Sequence, residues 1–297
     1  MKKSLIVGLT MILMGSAFAQ DTMRGIKDAL ARATVRICCG RTYTNVCEVG
    51  TAFMMLFKQS SGSPRSIPVF ITNKHVVDKA QFVDFAFSGK WHSGAVPTAV
   101  TVRHIITKGE WRFHPDSDVD LCAMSIAPIL NEIKARKYEI DIAPIPLSLL
   151  ADDSILKLFH QLDEVVMIGY PDGISDVFNN QPVFRRGVFA TNPFLNYRGK
   201  HEYLVDIPVY PGSSGSPVLV VRDGAFINPE TKSVMMYTGD VYCRLVGILY
   251  AGHKHNVKGL LEPTSIPTSI DPERPWIPNN LGIVIKASRI RELEQLF

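Results

Sequence analysis

Tyr210-Pro211-Gly212-Ser213-Ser214-Gly215-Ser216-Pro217 is a Gly/Ser-rich turn set between two apolar runs, EYLVDI and SPVLVV. Runs of that length, rich in β-branched and aromatic residues, read as strands. Gly212 and Gly215 give the turn the backbone freedom to project a hydroxyl while neighbouring N–H groups converge on one point, as a serine nucleophile requires. A surface turn could carry the same letters. Two motifs upstream decide between these readings.

The first is Phe70-Ile-Thr-Asn-Lys-His75-Val-Val, an apolar strand that ends in a polar turn presenting a histidine. The other seven histidines of the chain have no such setting. The second is Asp118-Val-Asp120-Leu-Cys-Ala-Met-Ser-Ile. A carboxylate at the start of a buried strand can accept an imidazole N–H and hold one tautomer. Asp120 directly precedes the apolar run and is favoured, with Asp118 as the alternative and Asp116 as a loop residue. His75, Asp120 and Ser214 are therefore the candidate catalytic residues, in that order and with separations of 120 − 75 = 45 and 214 − 120 = 94.

Outward from these motifs the chain is a series of twelve short strand-like runs, from ATVRICC near residue 33 to GIVIKA near 282, broken by Gly, Pro, Asn and Asp. Few helical patterns intervene, which argues for an all-β barrel or sandwich over alternating βαβ units. Helical spacing is confined to Thr22–Ala33, Ile129–Lys137 and a C-terminal segment from Ser288, where Ile290, Leu293 and Leu296 share a face. Six runs fall on each side of the connection Ala143-Pro-Ile-Pro146, so 20–150 and 151–297 are expected as two halves. Lys58–Pro68, Asp223–Thr238 and the Pro-rich His253–Asn280 read as long surface loops.

The first twenty residues, MKKSLIVGLTMILMGSAFAQ, have a basic start, an apolar stretch and an A-x-A site at Ala17 and Ala19. This reads as a cleaved signal peptide over 1–19, shorter in its apolar run than the roughly 20 residues of a spanning helix. A periplasmic or secreted protein without a membrane anchor is expected. The formal charge of +4 becomes 4 − 2 = +2 without Lys2 and Lys3, too small a bias to imply a nucleic-acid partner. Five cysteines cannot all pair within one chain. Cys38, Cys39 and Cys47 lie on a hairpin, and Cys47 is expected to bond Cys39 or, failing that, Cys38, since only one of the vicinal pair can face it. Cys122 and Cys243 read as buried small hydrophobes. His253-Lys-His255 lacks the further ligands of a metal site.

With these motifs in place the chain resembles the trypsin/chymotrypsin-like serine peptidases, nearest to the bacterial exported HtrA-type proteases. Gly50-Thr-Ala-Phe53, Val166-Met-Ile-Gly169-Tyr-Pro-Asp-Gly173, Arg186-Gly187-Val-Phe-Ala190, Gly247-Ile-Leu-Tyr-Ala-Gly252 and Gly282-Ile-Val-Ile-Lys-Ala287 are similar to family segments. The resemblance implies two six-stranded antiparallel barrels, a serine endopeptidase acting on protein or peptide substrates, and no metal or organic cofactor. It implies an oxyanion hole from the backbone N–H groups of Gly212 and Ser214. Pocket positions of the family fall on Pro208, Tyr250, Ala251 and Gly252; none is charged, which favours cleavage after apolar residues. Two departures stand out. Ser213 replaces the Asp with which digestive members bind a new N-terminus, so that zymogen switch is not expected, and the chain leaves no room for a PDZ module. The competing reading is a catalytically silent, trypsin-like binding module.

Overall fold

The computed structural model describes residues 25–40, 48–58, 66–89, 99–107, 109–176, 178–235, 241–255, 261–265 and 277–297. The expected signal segment and Cys47 lie outside them. Each of the twelve expected runs forms a strand, and five short strands join them.

The first half contains β1 (Thr34–Gly40), β2 (Glu48–Lys58), β3 (Ser66–Thr72), β4 (Phe82–Ser88), β5 (Ala99–Ile105), β6 (Trp111–Phe113), β7 (Cys122–Ser125) and β8 (Ile145–Pro146). They form one sheet in the order β5-β4-β1-β2-β3-β7-β6, with β8 parallel to β2. The sheet curls into a half-barrel; among the described residues its end strands β5 and β6 do not pair. The second half contains β9 (Glu164–Gly169), β10 (Val183–Phe189), β11 (Glu202–Asp206), β12 (Pro217–Asp223), the small hairpin β13 (Phe226–Ile227) and β14 (Val234–Met235), β15 (Val241–His255), β16 (Leu261–Ser265) and β17 (Ile277–Lys286). Pairing runs β12-β9-β10-β11-β17-β15, and β12 also pairs with β15, which closes a six-stranded barrel. β16 attaches to β15 outside that ring.

Strand alternation explains why the two halves share a core. Along β2, Phe53, Met55 and Phe57 face a central cluster, whereas Ala52 and Met54 face the interior of the first half. Leu245 and Ile248 of β15 join the same central cluster, whereas Val246 and Leu249 fill the second barrel. These strands are nearly continuous apolar runs because both of their faces are covered. Phe53 is fully buried at this seam, where truncation to Ala would cost about 3–5 kcal/mol.

Helices are few and short: α1 (Ile26–Ala33), α2 (Lys74–Val77), α3 (Ala127–Ala135), α4 (Asp153–Leu156) and α5 (Ile290–Glu294). Ile290 and Leu293 dock the C-terminal helix on the central cluster, as their spacing requires. No helix among the described residues is long and apolar enough to cross a membrane.

Three expectations change. Asp223–Thr238, read as loop, carries the hairpin of β13 and β14. The stretch His253–Asn280, read as loop, includes the end of β15, all of β16 and the start of β17. Cys39, the favoured partner of Cys47, is a buried free thiol. The reason is the phase of β1: Val35, Ile37 and Cys39 point into the core of the first half. Cys38 points the other way and is the disulfide-bonded one of the vicinal pair. Cys122 and Cys243 are buried free thiols, and burial raises the pKa of both and of Cys39.

Candidate active site

His75 sits on α2, a single turn that follows β3. Val76 and Val77 of that turn are buried in the first half, while His75 is only half-buried and reaches Ser214 of the second half. Asp120 lies two residues before β7, anchored by the buried Leu121. The side chain of Asn73, itself buried, donates to the Asp120 carbonyl at 2.8 Å. One carboxylate oxygen, Oδ1, accepts the His75 backbone N–H at 3.1 Å. The other, Oδ2, is 2.5 Å from His75 Nδ1. Both bonds aim at one residue, so the carboxylate fixes the ring's position and selects the tautomer with hydrogen on Nδ1. Nε2 is then an acceptor, and it stands 2.9 Å from Ser214 Oγ. Asp118 does not take part: it is exposed, and its N–H donates to Asp116 Oδ1 at 3.0 Å within the loop.

Ser214 projects from a turn whose shape is set by two glycines with φ of 85°. A Cβ at Gly212 would lie 2.4 Å from the Tyr170 carbonyl, and one at Gly215 would lie 2.0 Å from the Thr51 carbonyl. Neither position accepts a side chain without displacing backbone. Within the turn, Ser213 N–H donates to the Tyr210 carbonyl at 3.0 Å and Ser216 N–H to the Ser213 carbonyl at 3.1 Å. The buried Ser213 hydroxyl accepts the Tyr210 N–H at 3.4 Å, so the turn closes on itself where digestive relatives use an inserted N-terminus.

Peptide planarity orients the two N–H groups of interest. The Pro211 carbonyl accepts the Asp172 N–H at 2.5 Å, and the Ser213 carbonyl is held by Ser216. In a trans peptide the C=O and the following N–H point in opposite directions. Gly212 N–H and Ser214 N–H are thereby each turned away from the group that holds its peptide's carbonyl.

Several residues that hold this site were not singled out from the sequence. Thr51 donates its hydroxyl to the Gly212 carbonyl and its N–H to the Ser214 carbonyl, both at 2.9 Å. Arg185 of β10 donates to the Pro208 carbonyl at 3.1 Å and stacks 4.9 Å over the Tyr210 ring. Asp172 sits near that guanidinium; burial raises its carboxyl pKa and Arg185 partly offsets the rise. Gly50-Thr-Ala-Phe53 and Tyr170-Pro-Asp-Gly173 are visible as segments, but their bonds to the turn around Ser214 join residues 39 or more positions apart. No local pattern encodes those contacts.

The expected pocket residues occupy β15 and the approach to the turn. Gly215 N–H donates to the Leu249 carbonyl at 2.9 Å, and Leu249 N–H to the Ser216 carbonyl at 3.0 Å. Tyr250, Ala251 and Gly252 therefore lead away from the nucleophile turn along one strand. Tyr250 donates its hydroxyl to Glu202 Oε1 at 2.9 Å. Gly282 faces Leu249, Val205 and Val209, the nearest side chains that a Cβ there would meet. His253 is buried, with Nε2 at 3.5 Å from the Tyr197 hydroxyl.

Comparison with known proteins fits this geometry. The trypsin-like peptidase domain family matches residues 50–227, 178 of the 297 residues. No curated protein sequence matches the chain. Among solved structures, the HtrA-type protease AlgW with tripeptide is 15% identical with a TM-score of 0.45, over 90% of this chain and 60% of that one. The Rv3671c protease from M. tuberculosis, in its active form, is 13% identical with a TM-score of 0.41, over 93% and 83%. The chain thus spans 60% of the length of AlgW. With more than half of its length matched, the chain belongs to the trypsin-like peptidase domain family.

Proposed function

We propose that the chain is an exported serine endopeptidase that cleaves after apolar residues through His75, Asp120 and Ser214. The observation that carries this reading is the pair of distances on one imidazole, 2.5 Å from Nδ1 to Asp120 and 2.9 Å from Nε2 to Ser214 Oγ. In the proposed reaction, Ser214 Oγ bonds to the scissile carbonyl carbon as its proton passes to His75 Nε2. The oxyanion accepts the N–H groups of Gly212 and Ser214. Collapse expels the amine, which takes the proton from His75, and a water repeats the cycle on the acyl-enzyme. Asp120 orients the ring and stabilises its charged form. Export rests on the A-x-A site and basic start of the first twenty residues, and the apolar preference on the lack of charge at Pro208, Tyr250, Ala251 and Gly252.

A fluorophosphonate probe tests the core of the proposal. Labelling of the wild type but not of Ser214→Ala, together with hydrolysis of a mixed peptide library mostly after aliphatic or aromatic residues, is the expected result. An unlabelled, well-folded wild type would instead favour a silent binding module.

A further inference from the structure

Ala251 and Gly252 have neighbours on both sides. Ala251 lies opposite Ile283 of β17 on one edge and Ser265 of β16 on the other; Gly252 lies between Gly282 and Thr264. β12 pairs with β15 at Gly247 and Ile248, residues that also pair with β17, so β12 and β16 occupy the same edge of β15. Between them on that edge is the nucleophile turn, bonded to Leu249. Along one line, then, come β12, the Ser214 turn and β16.

A peptide that adds as a strand to a sheet edge must find that edge open. The stretch of this edge leading to Ser214 is Tyr250 to Gly252, and from Ala251 to His255 it is already paired. β16 is antiparallel to β15, and its C-terminal end, Ser265, is the end nearest the nucleophile. It therefore approaches Ser214 from the side and in the direction that an extended acyl-side substrate would take along the same edge. The composition agrees with an added edge strand: Pro263 cannot donate to a ladder and is tolerated only at an edge or a bulge.

We infer that β16 is an internal competitor for the acyl-side substrate, an intrachain strand that an extended peptide must displace from β15 before it reaches Ser214. The inference rests on the peptidase reading above. It makes the enzyme self-restrained towards long peptides while leaving small acyl donors, which do not pair with β15, unaffected. A competitor seated roughly nine-tenths of the time raises the apparent KM about tenfold without changing kcat.

Two variants test it. His255 and Ile277 lie opposite each other in register, so residues 256–276 can be replaced by an Asn-Gly turn that closes β15 directly onto β17. This variant is expected to lower KM for an octapeptide substrate about tenfold, with kcat and the hydrolysis of p-nitrophenyl acetate unchanged. In the full chain, His255→Cys with Leu261→Cys places a thiol pair at facing register positions; oxidation should raise the octapeptide KM and reduction restore it, with wild type carried through the same cycle. Unchanged octapeptide KM in both variants overturns the inference. Fluorophosphonate labelling separates the two levels: a labelled wild type with unchanged KM values overturns the role of β16 alone, and an unlabelled wild type overturns the peptidase reading and with it this inference.

Discussion

The hydroxyl of Thr51 donates to the Gly212 carbonyl at 2.9 Å across the seam between the two halves, and the same oxygen accepts the Tyr170 N–H at 3.2 Å. A residue of the half that carries His75 thus holds the turn that carries Ser214. Thr51→Val keeps the shape and leaves the Gly212 carbonyl and the Tyr170 N–H buried without that partner. Such a loss costs about 1–3 kcal/mol per unsatisfied group. We expect a lower Tm and a kcat reduced about tenfold, because the turn that carries Ser214 loses its tether, with Thr51→Ser recovering most of both. Peptide hydrolysis and thermal melts of the two variants check it; a Thr51→Val enzyme with wild-type kcat would make the contact purely structural.

The two acids near His75 separate cleanly by geometry. Asp120 accepts both the backbone N–H and the ring N–H of His75, whereas Asp118 is turned into its own loop. Asp120→Asn should lower kcat by about 10⁴, since the amide favours the wrong imidazole tautomer. Asp118→Asn should leave kcat within a factor of about two, as expected of an exposed substitution. Ser214→Ala and His75→Ala should each remove on the order of 10⁶ of turnover, by analogy with other triad proteases. The reverse order for the two aspartates would move the acid to position 118.

Arg185 acts on the same turn from the opposite side, through the Pro208 carbonyl and the Tyr210 ring. Arg185→Met keeps much of the packing and loses the donor and the charge. Arg185→Lys keeps the charge, but an ammonium cannot stack and donate as a planar fork does. Both should lower kcat, by about tenfold for Met and less for Lys, without a matching fall in fluorophosphonate-accessible protein. A change confined to KM would place Arg185 in substrate binding instead.

The strand runs and the three chemical motifs were legible because each is local: alternation, β-branched composition and turn residues are written within a few positions. What the sequence left open depends on which face of a strand meets the core. The choice between Cys38 and Cys39 is one such case, since both lie in one apolar run and only the burial of Val35 and Ile37 sets the phase. β16 is another. Leu-Glu-Pro-Thr-Ser has little strand character, and its pairing comes from the edge that β15 offers. Thr51, Asp172 and Arg185 act through carbonyls of distant residues, which no spacing rule reveals.

The vicinal cysteines give a chemical test. Cys39 and Cys122 are buried thiols whose pKa values burial pushes far above the usual range, so iodoacetamide should not modify them in the native protein at pH 8. Both should react after unfolding. Non-reducing peptide mapping should recover Cys38 joined to Cys47, a link that closes a short loop and stabilises by roughly 2–4 kcal/mol. Native alkylation of Cys39, or its recovery in a disulfide, would show that the phase of β1 is wrong.

Glu202 ties β15 to the pH dependence of stability. It is buried on β11 and accepts the Tyr250 hydroxyl at 2.9 Å. Burial raises its pKa; the Tyr250 hydrogen bond and the nearby Lys200 and Arg198 oppose the rise without cancelling it. A carboxyl with a raised folded-state pKa binds its proton more tightly when folded. Its contribution to stability is therefore full below the unfolded value of about 4.3 and is lost as pH rises through the folded value. Glu202→Gln removes that titration while its amide oxygen can still accept from Tyr250. At pH 7 the variant should melt at or above the wild-type temperature, by about 2 °C. At pH 4, where wild-type Glu202 is largely protonated in the fold, the difference should shrink towards zero. Melting curves of both proteins between pH 4 and 8 measure this. A Gln variant that is less stable at pH 7 than at pH 4, relative to wild type, would mean that the ionised carboxylate is stabilised in place and that Lys200 and Arg198 outweigh its burial.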